Sequence, residues 1–326
     1  MPSFTYHIKK ANLRMKHKSL IIISFVACSP TLNSEIEGSI DITDAVLTNQ
    51  SADCSDYMDA YYANATDIKR DLAFEGNLTI SVEGGSCIFS TNSIPNHDFN
   101  DENAMFATNV SEVSSSFTVT STPSHAEAPT DLSLELDNAL FLNGVKLDLL
   151  AAACYGVGDE ALGEEKIGCF DDTTPWRYDP MFSGNDFGTD SHNAHTQPDG
   201  TYHYHGSPNA LFDAYDDTQA SPVIGFAADG FPIFGPYIDD NGTIREVTSG
   251  YSLKSGARES QPGEGALPLG DHDGTFRDDY EFTGTGDLDE CNGMTINGVY
   301  GYYVINSYPW VMACFSGTPD DSFIKR

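Results

Sequence analysis

Turn-forming dipeptides divide this chain into many short segments, and they constrain its fold more than any other feature. Asn-Gly and Asp-Gly favour the tight turns that join neighbouring strands. They recur as Asn143-Gly144, Asp199-Gly200, Asp229-Gly230, Asn241-Gly242, Asp273-Gly274 and Asn297-Gly298. This spacing predicts many short strands joined by turns and loops, with little room for long helices.

Runs rich in β-branched and aromatic residues lie between these turns, and such runs are typical of strands. The predicted strands are Leu78–Val82, Ser115–Thr120, Leu132–Leu136, Val223–Phe226 and Val299–Ile305, and a hairpin is predicted over Tyr237–Ile244. Asp53–Ala65 has the spacing of a helix, because Met58, Tyr61 and Tyr62 would share a face. The sequence therefore predicts a mainly β fold with few short helices and long loops.

Residues 1–27 have the pattern of a secretory signal peptide, with a basic start and a short apolar run that ends at Cys28. The run is too short to cross a bilayer as a helix. Its last residues, Phe25-Val26-Ala27-Cys28, resemble a bacterial lipobox, in which the cysteine carries a lipid. We therefore expect an exported protein, lipid-anchored through Cys28 in the cell envelope or at the cell surface. The alternative is an ordinary signal peptide that happens to contain a cysteine.

Six further cysteines follow, and an even number in an exported chain favours disulfides. They are Cys54, Cys87, Cys154, Cys169, Cys291 and Cys314. Sequence alone allows many pairings. Our hypothesis joins nearest neighbours, Cys54 with Cys87, Cys154 with Cys169 and Cys291 with Cys314, in one compact, disulfide-bridged β domain.

The charge of the chain is strongly negative after the signal segment. Five of the 16 basic residues and no acidic residue lie before Cys28, so 11 basic residues face 49 acidic ones, a formal net charge of −38. Such a surface repels nucleic acid and anionic lipid headgroups. We therefore expect no nucleic-acid partner, and membrane contact only through the lipid anchor.

The densest cluster of chemically versatile residues lies between Asp190 and Gly206, where four of the nine histidines fall within 14 residues. If Tyr202–His205 is a strand, His203 and His205 project from one face and the two tyrosines from the other. Imidazoles arranged in this way, with His195 or His97 added, could bind Zn, Cu or Fe. Alternatively, the histidines only hydrogen-bond within a polar core.

Several segments together resemble the YHYH protein family. They are Asp199–His205, Gly225–Gly235 and Leu288–Gly293, supported by Ile94–His97, Leu142–Val145, Tyr251–Lys254, Asp273–Phe276 and Tyr308–Trp310. The resemblance implies a shared domain and a shared histidine cluster, in which His97, His195, His203 and His205 occupy motif positions. It does not imply a reaction.

The signal pattern, the composition of the following segment and the resemblance together suggest how the chain is organised. A signal peptide (1–27) and a flexible tether (28–51) would precede an N-terminal β segment (52–93). The YHYH domain (94–317) and a C-terminal tail (318–326) would follow.

Three charged residues in or beside these segments are candidates for catalysis or ligand binding. Asp289 and Glu290 adjoin Cys291 and would be held rigidly, as suits a fourth metal ligand or a general base. Arg258 would either bind an anionic group or pair with acids inside the fold. Asp271–Asp279 is similar to a Ca²⁺ loop in its alternating oxygens, although Gly274 is misplaced for an EF-hand, so Ca²⁺ is a less favoured cofactor.

The leading functional hypothesis is a metal-dependent site with hydrolytic or oxidative chemistry. The main alternative is a non-enzymatic surface module that captures a metal or a carbohydrate, with the same histidines as ligands. A third hypothesis is a purely structural histidine cluster. The sequence therefore leaves open whether the protein is an enzyme, and which small molecule or carbohydrate it binds.

Overall fold

Strands account for most of the regular structure in the computed structural model, which describes residues 38–101, 103–214 and 216–325. In chain order they are β1 (Ile40–Asp41), β2 (Asp59–Asp67), β3 (Leu72–Glu83), β4 (Ser86–Thr91), β5 (Ser115–Thr120), β6 (Thr130–Asp131), β7 (Ala139–Phe141), β8 (Lys146–Leu147), β9 (Ala194–Thr196), β10 (Tyr202–Tyr204), β11 (Val223–Ala227), β12 (Pro232–Phe234), β13 (Tyr237–Asp240), β14 (Thr243–Glu246), β15 (Tyr251–Leu253), β16 (Tyr280–Phe282), β17 (Gly293–Ile296), β18 (Val299–Tyr303) and β19 (Cys314–Phe315). The helices of this part of the chain are short 3-10 turns at Cys54–Tyr57, Arg277–Asp279 and Asp321–Phe323. The mainly β prediction is confirmed.

The N-terminal part of the fold is a five-stranded sheet in the order β1-β2-β3-β4-β5. Strands β2 to β5 pair antiparallel in sequence order, and β1 joins β2 in parallel. Alternate side chains of β3 and β4 are buried, including Leu78, Ile80 and Phe89. This period of two buries one face of the sheet and leaves the other nearer to solvent.

The second sheet has eight strands in the order β17-β18-β12-β11-β7-β8-β10-β9. Its central strand β11 is buried at every position, as expected for a strand covered on both faces. At Gly225 of this strand, a Cβ atom would lie 2.7 Å from the carbonyl oxygen of Leu140, so the close approach of β7 requires glycine. One end of the sheet, β8-β10-β9, carries the histidines.

One hydrophobic core includes side chains from both sheets. Phe226 of the eight-stranded sheet lies 6.0 Å from Phe89 of the five-stranded sheet and 5.7 Å from Tyr57, measured between ring centroids. Tyr202 and Tyr204 are also fully buried in this core. The core therefore fixes one face of β10 firmly, and this determines which way the other face points.

Three disulfides cross-link the fold, and they join the nearest-neighbour pairs. Cys54 bonds Cys87, Cys154 bonds Cys169, and Cys291 bonds Cys314. The pairing hypothesis is confirmed.

Two predicted elements are wrong, and several are confirmed. The helix expected over Asp53–Ala65 is a 3-10 turn followed by β2, because Ala63, Ala65 and Asp67 alternate as buried residues along a nine-residue pairing with β3. The strand expected over Leu132–Leu136 is instead a turn, in which the Leu136 amide donates to the carbonyl oxygen of Ser133. The strands over residues 78–82, 115–120 and 223–226 and the hairpin at 237–244 are confirmed, and the last predicted strand, from Val299, ends at Tyr303.

Residues 38–51, which the sequence assigned to a tether, contact the fold. Ile40 and Asp41 pair with β2, the Leu47 amide donates to the carbonyl of Leu211, and the Val223 amide donates to that of Asn49. These bonds attach the segment to both sheets. The predicted signal peptide and Cys28 lie outside the described residues. No helix in the described part of the chain is long and apolar enough to cross a membrane.

Candidate metal centre

Two neighbouring strands bring three histidines to one face of the eight-stranded sheet. His203 of β10 is the register partner of His195 of the antiparallel strand β9. His205 follows two residues after His203 and therefore points to the same side. The prediction that His203 and His205 share a face is confirmed. His195, His203 and His205 are called the histidine cluster below.

The Nε2 atoms of the histidine cluster converge on one point. Nε2 of His205 lies 3.1 Å from Nε2 of His203 and 2.9 Å from Nε2 of His195. Within the described part of the chain, this is the one group of three or more His, Cys, Asp or Glu side chains close enough to hold a metal ion. A tetrahedral metal with metal–nitrogen bonds of about 2.1 Å would separate its ligand nitrogens by about 3.4 Å. The two separations that involve His205 are therefore close to, and slightly shorter than, those of a metal site, and all three ligand atoms lie within 4.8 Å of one another.

The opposite ring nitrogens of His195 and His203 turn toward backbone carbonyls, whereas that of His205 is buried with no hydrogen-bond partner among the described residues. Nδ1 of His195 donates to the carbonyl oxygen of Phe187 at 2.7 Å, and Nδ1 of His203 makes a longer contact of 3.4 Å with the carbonyl oxygen of Thr201. A proton on Nδ1 leaves Nε2 as a lone pair, which is the form that binds metals. Neighbouring lone pairs repel one another, so either a cation or a proton on Nε2 of His205 lies between the rings.

Burial lowers the pKa of all three imidazoles, since a charged ring is poorly solvated inside the fold. For His203, repulsion from His195, His205 and Lys146 adds to the effect. For His205, His195 and Lys325 do the same, and a backbone contact with Asp148 opposes it. For His195, the contact with Phe187 and the negative charge of Asp148 oppose the effect of burial. Each imidazole of the cluster therefore favours its neutral form.

A layer of paired charges borders the histidine cluster. Lys146 Nζ donates to Asp137 Oδ2 at 3.0 Å and to Gln197 Oε1 at 2.8 Å. Gln197 Nε2 donates to Asp148 Oδ2 at 3.0 Å, which also accepts from Lys325 Nζ at 2.6 Å. These five residues are called the charge network below. Two lysines and two carboxylates balance one another, so the network adds no net charge beside the cluster.

His97 lies on the other side of β10. Its Nδ1 donates to the carbonyl oxygen of Asp98 at 2.8 Å, and its Nε2 accepts from the Tyr204 hydroxyl at 2.7 Å. The ring also packs against His192, with 3.8 Å between centroids. Burial, with repulsion from His192, lowers the pKa of His97 to about 3. The structure therefore places His97 and His192 outside the cluster, because Tyr204 and His205 point to opposite faces.

Asp289 and Glu290 lie in a turn and do not join the histidine cluster. Asp289 Oδ1 accepts from the amides of Cys291 and Gly293, and Oδ2 accepts from the Tyr300 hydroxyl at 3.0 Å. Glu290 is exposed, and its backbone carbonyl accepts from the Tyr251 hydroxyl. These bonds give Asp289 a role in shaping the turn.

Arg258 pairs with acids inside the fold, which was the second of the two roles considered for it. Its guanidinium donates two bonds of 2.7 Å to Asp279 and one of 2.5 Å to Asp273, and it lies over the ring of Phe276. Both carboxylates belong to the segment with a resemblance to a Ca²⁺ loop. One buried cation therefore offsets part of their combined charge.

Sequence reasoning missed the charge network. Lys146 and Asp148 follow directly after the recognised segment Leu142–Val145, and they alternate with Leu147 and Leu149. Alternation of charged and apolar residues in a buried strand was the available signal. Gln197 lies two residues beyond His195 and thus on the same face, whereas Lys325 comes from the far end of the chain.

The model of the YHYH protein family matches residues 116–317. The chain belongs to the YHYH protein family. No curated protein and no solved structure matches it at a significant level. The part matched by the YHYH model contains the whole histidine cluster and every member of the charge network except Lys325.

Proposed function

We propose that this YHYH protein binds one transition-metal ion, Zn, Cu or Fe, through Nε2 of His195, His203 and His205. The observation that carries the proposal is the convergence of three imidazoles, those of His203 and His205 buried and that of His195 half-buried. Histidine is the commonest metal ligand, and these three metals accept imidazole readily. A structural cluster that only stabilises the core would instead pair each ring nitrogen with a donor or an acceptor of the surrounding protein.

The chemistry of the bound metal follows from its identity. Zinc would act as a Lewis acid and favour hydrolysis, whereas copper or iron would also support oxidative reactions. A surface module that stores or captures the metal is the non-enzymatic alternative. The same cluster serves both roles, so metal identity and the number of protein ligands decide between them.

We further propose that the protein works outside the cytoplasm, lipid-anchored through Cys28. Three disulfides support an oxidising compartment, where such bonds persist. Radiolabelled palmitate should be incorporated by the full chain and not by Cys28→Ser. Equal labelling of both would contradict the anchor.

Elemental analysis tests the metal site. The full chain, purified without chelator or affinity histidines, should carry about one equivalent of Zn, Cu or Fe. His203→Ala/His205→Ala should lose the metal, while the exposed His125→Ala, a matched control outside the cluster, should keep it. A parent protein that stays metal-free after reconstitution with each ion would contradict the proposal.

A further inference from the structure

The histidine cluster supplies three ligands, and no other His, Cys, Asp or Glu ligand atom of the described residues joins them. Structural zinc sites usually have four protein ligands, whereas catalytic sites have three and keep one position for an exogenous ligand. Three converging imidazoles therefore match the open type of site.

Asp148 provides an independent observation beside the cluster. Its Oδ2 is fixed by Gln197 and Lys325, while its Oδ1 is buried and has no hydrogen-bond partner among the described residues. The side chain of Asp148 is only 7% exposed. A buried carboxylate oxygen without a donor is costly, so a donor group is expected to approach it.

Asp148 lies on the face of the sheet that carries the cluster, because it follows two residues after Lys146, the register partner of His203. Its amide donates to the carbonyl of Tyr204, which lies between His203 and His205 in the chain. Its Oδ2 accepts from Gln197, which lies two residues after His195 and points to the same side. Asp148 thus contacts the strand that carries two of the ligands and, through Gln197, the segment that carries the third.

We infer that the metal site keeps one coordination position open, and that Oδ1 of Asp148 accepts a hydrogen bond from a protic ligand in that position. The ligand class is water or a substrate hydroxyl or amine, since each can coordinate a metal and still donate a proton to a carboxylate. The inference rests on the proposed metal site and deepens it, because an open position is what separates catalysis from closed storage. Asp148 is a positioning residue in this account, and its charge disfavours small anions that lack a proton.

Azide binding to the copper-loaded full chain tests the inference. Cu²⁺ is a suitable probe because imidazole sites bind it more tightly than the other divalent metals of this series. Azide that coordinates copper produces a charge-transfer absorption band, which can be titrated. We expect the band in the wild-type protein, and about tenfold tighter azide binding in Asp148→Asn, since the variant removes a nearby negative charge.

Two further variants make the test specific. Asp131→Asn removes the same charge from an exposed position on β6, and its azide affinity should stay within about twofold of wild type. Lys325→Met removes the cation that offsets Asp148, so it should weaken azide binding. It also tests the role of Asp148 if Asp148→Asn fails to fold.

Three outcomes would contradict the account, and they differ from one another. Copper that binds without an azide band in any variant would overturn the open position. Equal azide affinity in wild type, Asp148→Asn and Lys325→Met would overturn the role of Asp148. Failure to bind copper at all would overturn the proposed metal site itself, and with it this inference.

Discussion

Lys146 and His203 occupy paired positions on the neighbouring parallel strands β8 and β10. The ammonium of Lys146 contributes to the low pKa of His203, and Asp137 and Gln197 hold it in place. A buried cation beside a neutral imidazole keeps that imidazole unprotonated. The pair therefore links the charge network to the state of the histidine cluster.

Removal of the Lys146 charge should be costly for stability. Lys146→Met leaves Asp137 buried beside fewer donors, and the loss of one member of a buried ion pair costs about 3–5 kcal/mol. Urea denaturation should show this loss in the free energy of unfolding. The double variant Lys146→Met/Asp137→Asn also removes the unpaired carboxylate, so it should recover part of the lost free energy of unfolding. A double variant no more stable than Lys146→Met would contradict the pairing of Lys146 with Asp137.

His97 should make stability depend on pH. Its pKa is about 3 in the folded protein and about 6.5 in the unfolded chain, so the unfolded state binds a proton first as the pH falls. The sign is therefore a loss of stability below pH 6.5, of about 2 kcal/mol between pH 7.5 and pH 5. Denaturation at both pH values should show a smaller pH dependence for His97→Gln than for wild type. An unchanged difference would contradict the buried, neutral state of His97.

Arg258 should matter for folding and not for metal binding. Arg258→Met leaves the fully buried Asp279 without its cation and should lower the free energy of unfolding by about 3–5 kcal/mol. Arg245, which pairs with Asp240 and Asp287 at a solvent-exposed site, provides a matched control, and Arg245→Met should destabilise the fold far less than Arg258→Met. Metal content should stay at wild-type level in both variants. Loss of metal in folded Arg258→Met would place Arg258 in the site after all.

The disulfide of the five-stranded sheet should stabilise the fold without shaping the metal site. Cys54 and Cys87 are 33 residues apart, and removal of such a link typically costs about 2–5 kcal/mol. Cys54→Ala/Cys87→Ala should therefore unfold at lower urea concentration. The same protein should keep one equivalent of metal in native buffer, and its loss from a folded variant would contradict the separation.

The sequence predicted the features that depend on local pattern. Alternation along Tyr202–His205 placed two histidines on one face, and turn dipeptides predicted the hairpin at Asn241-Gly242. The helix prediction over Asp53–Ala65 was wrong because aromatic spacing matched a helix, whereas pairing with β3 decided the outcome. Local pattern does not report strand pairing, which is a tertiary effect.

The rest of the site depends on contacts between distant parts of the chain. His97 hydrogen-bonds to Tyr204, whose side chain lies on the face of β10 opposite to the histidine cluster. The spacing of the histidines in the sequence does not predict this contact. Lys325 reaches Asp148 across 177 residues. The sequence left two roles open for Arg258, and only the fold shows that it donates to Asp279.

X-ray absorption at the edge of the bound metal tests the central claim most directly, because it counts and identifies the ligand atoms. The account predicts three imidazole nitrogens at about 2.0–2.1 Å for zinc, one fewer in each single variant His195→Ala, His203→Ala and His205→Ala, and no sulfur ligand. A shell of oxygens alone, or a wild-type spectrum that survives in all three variants, would contradict it.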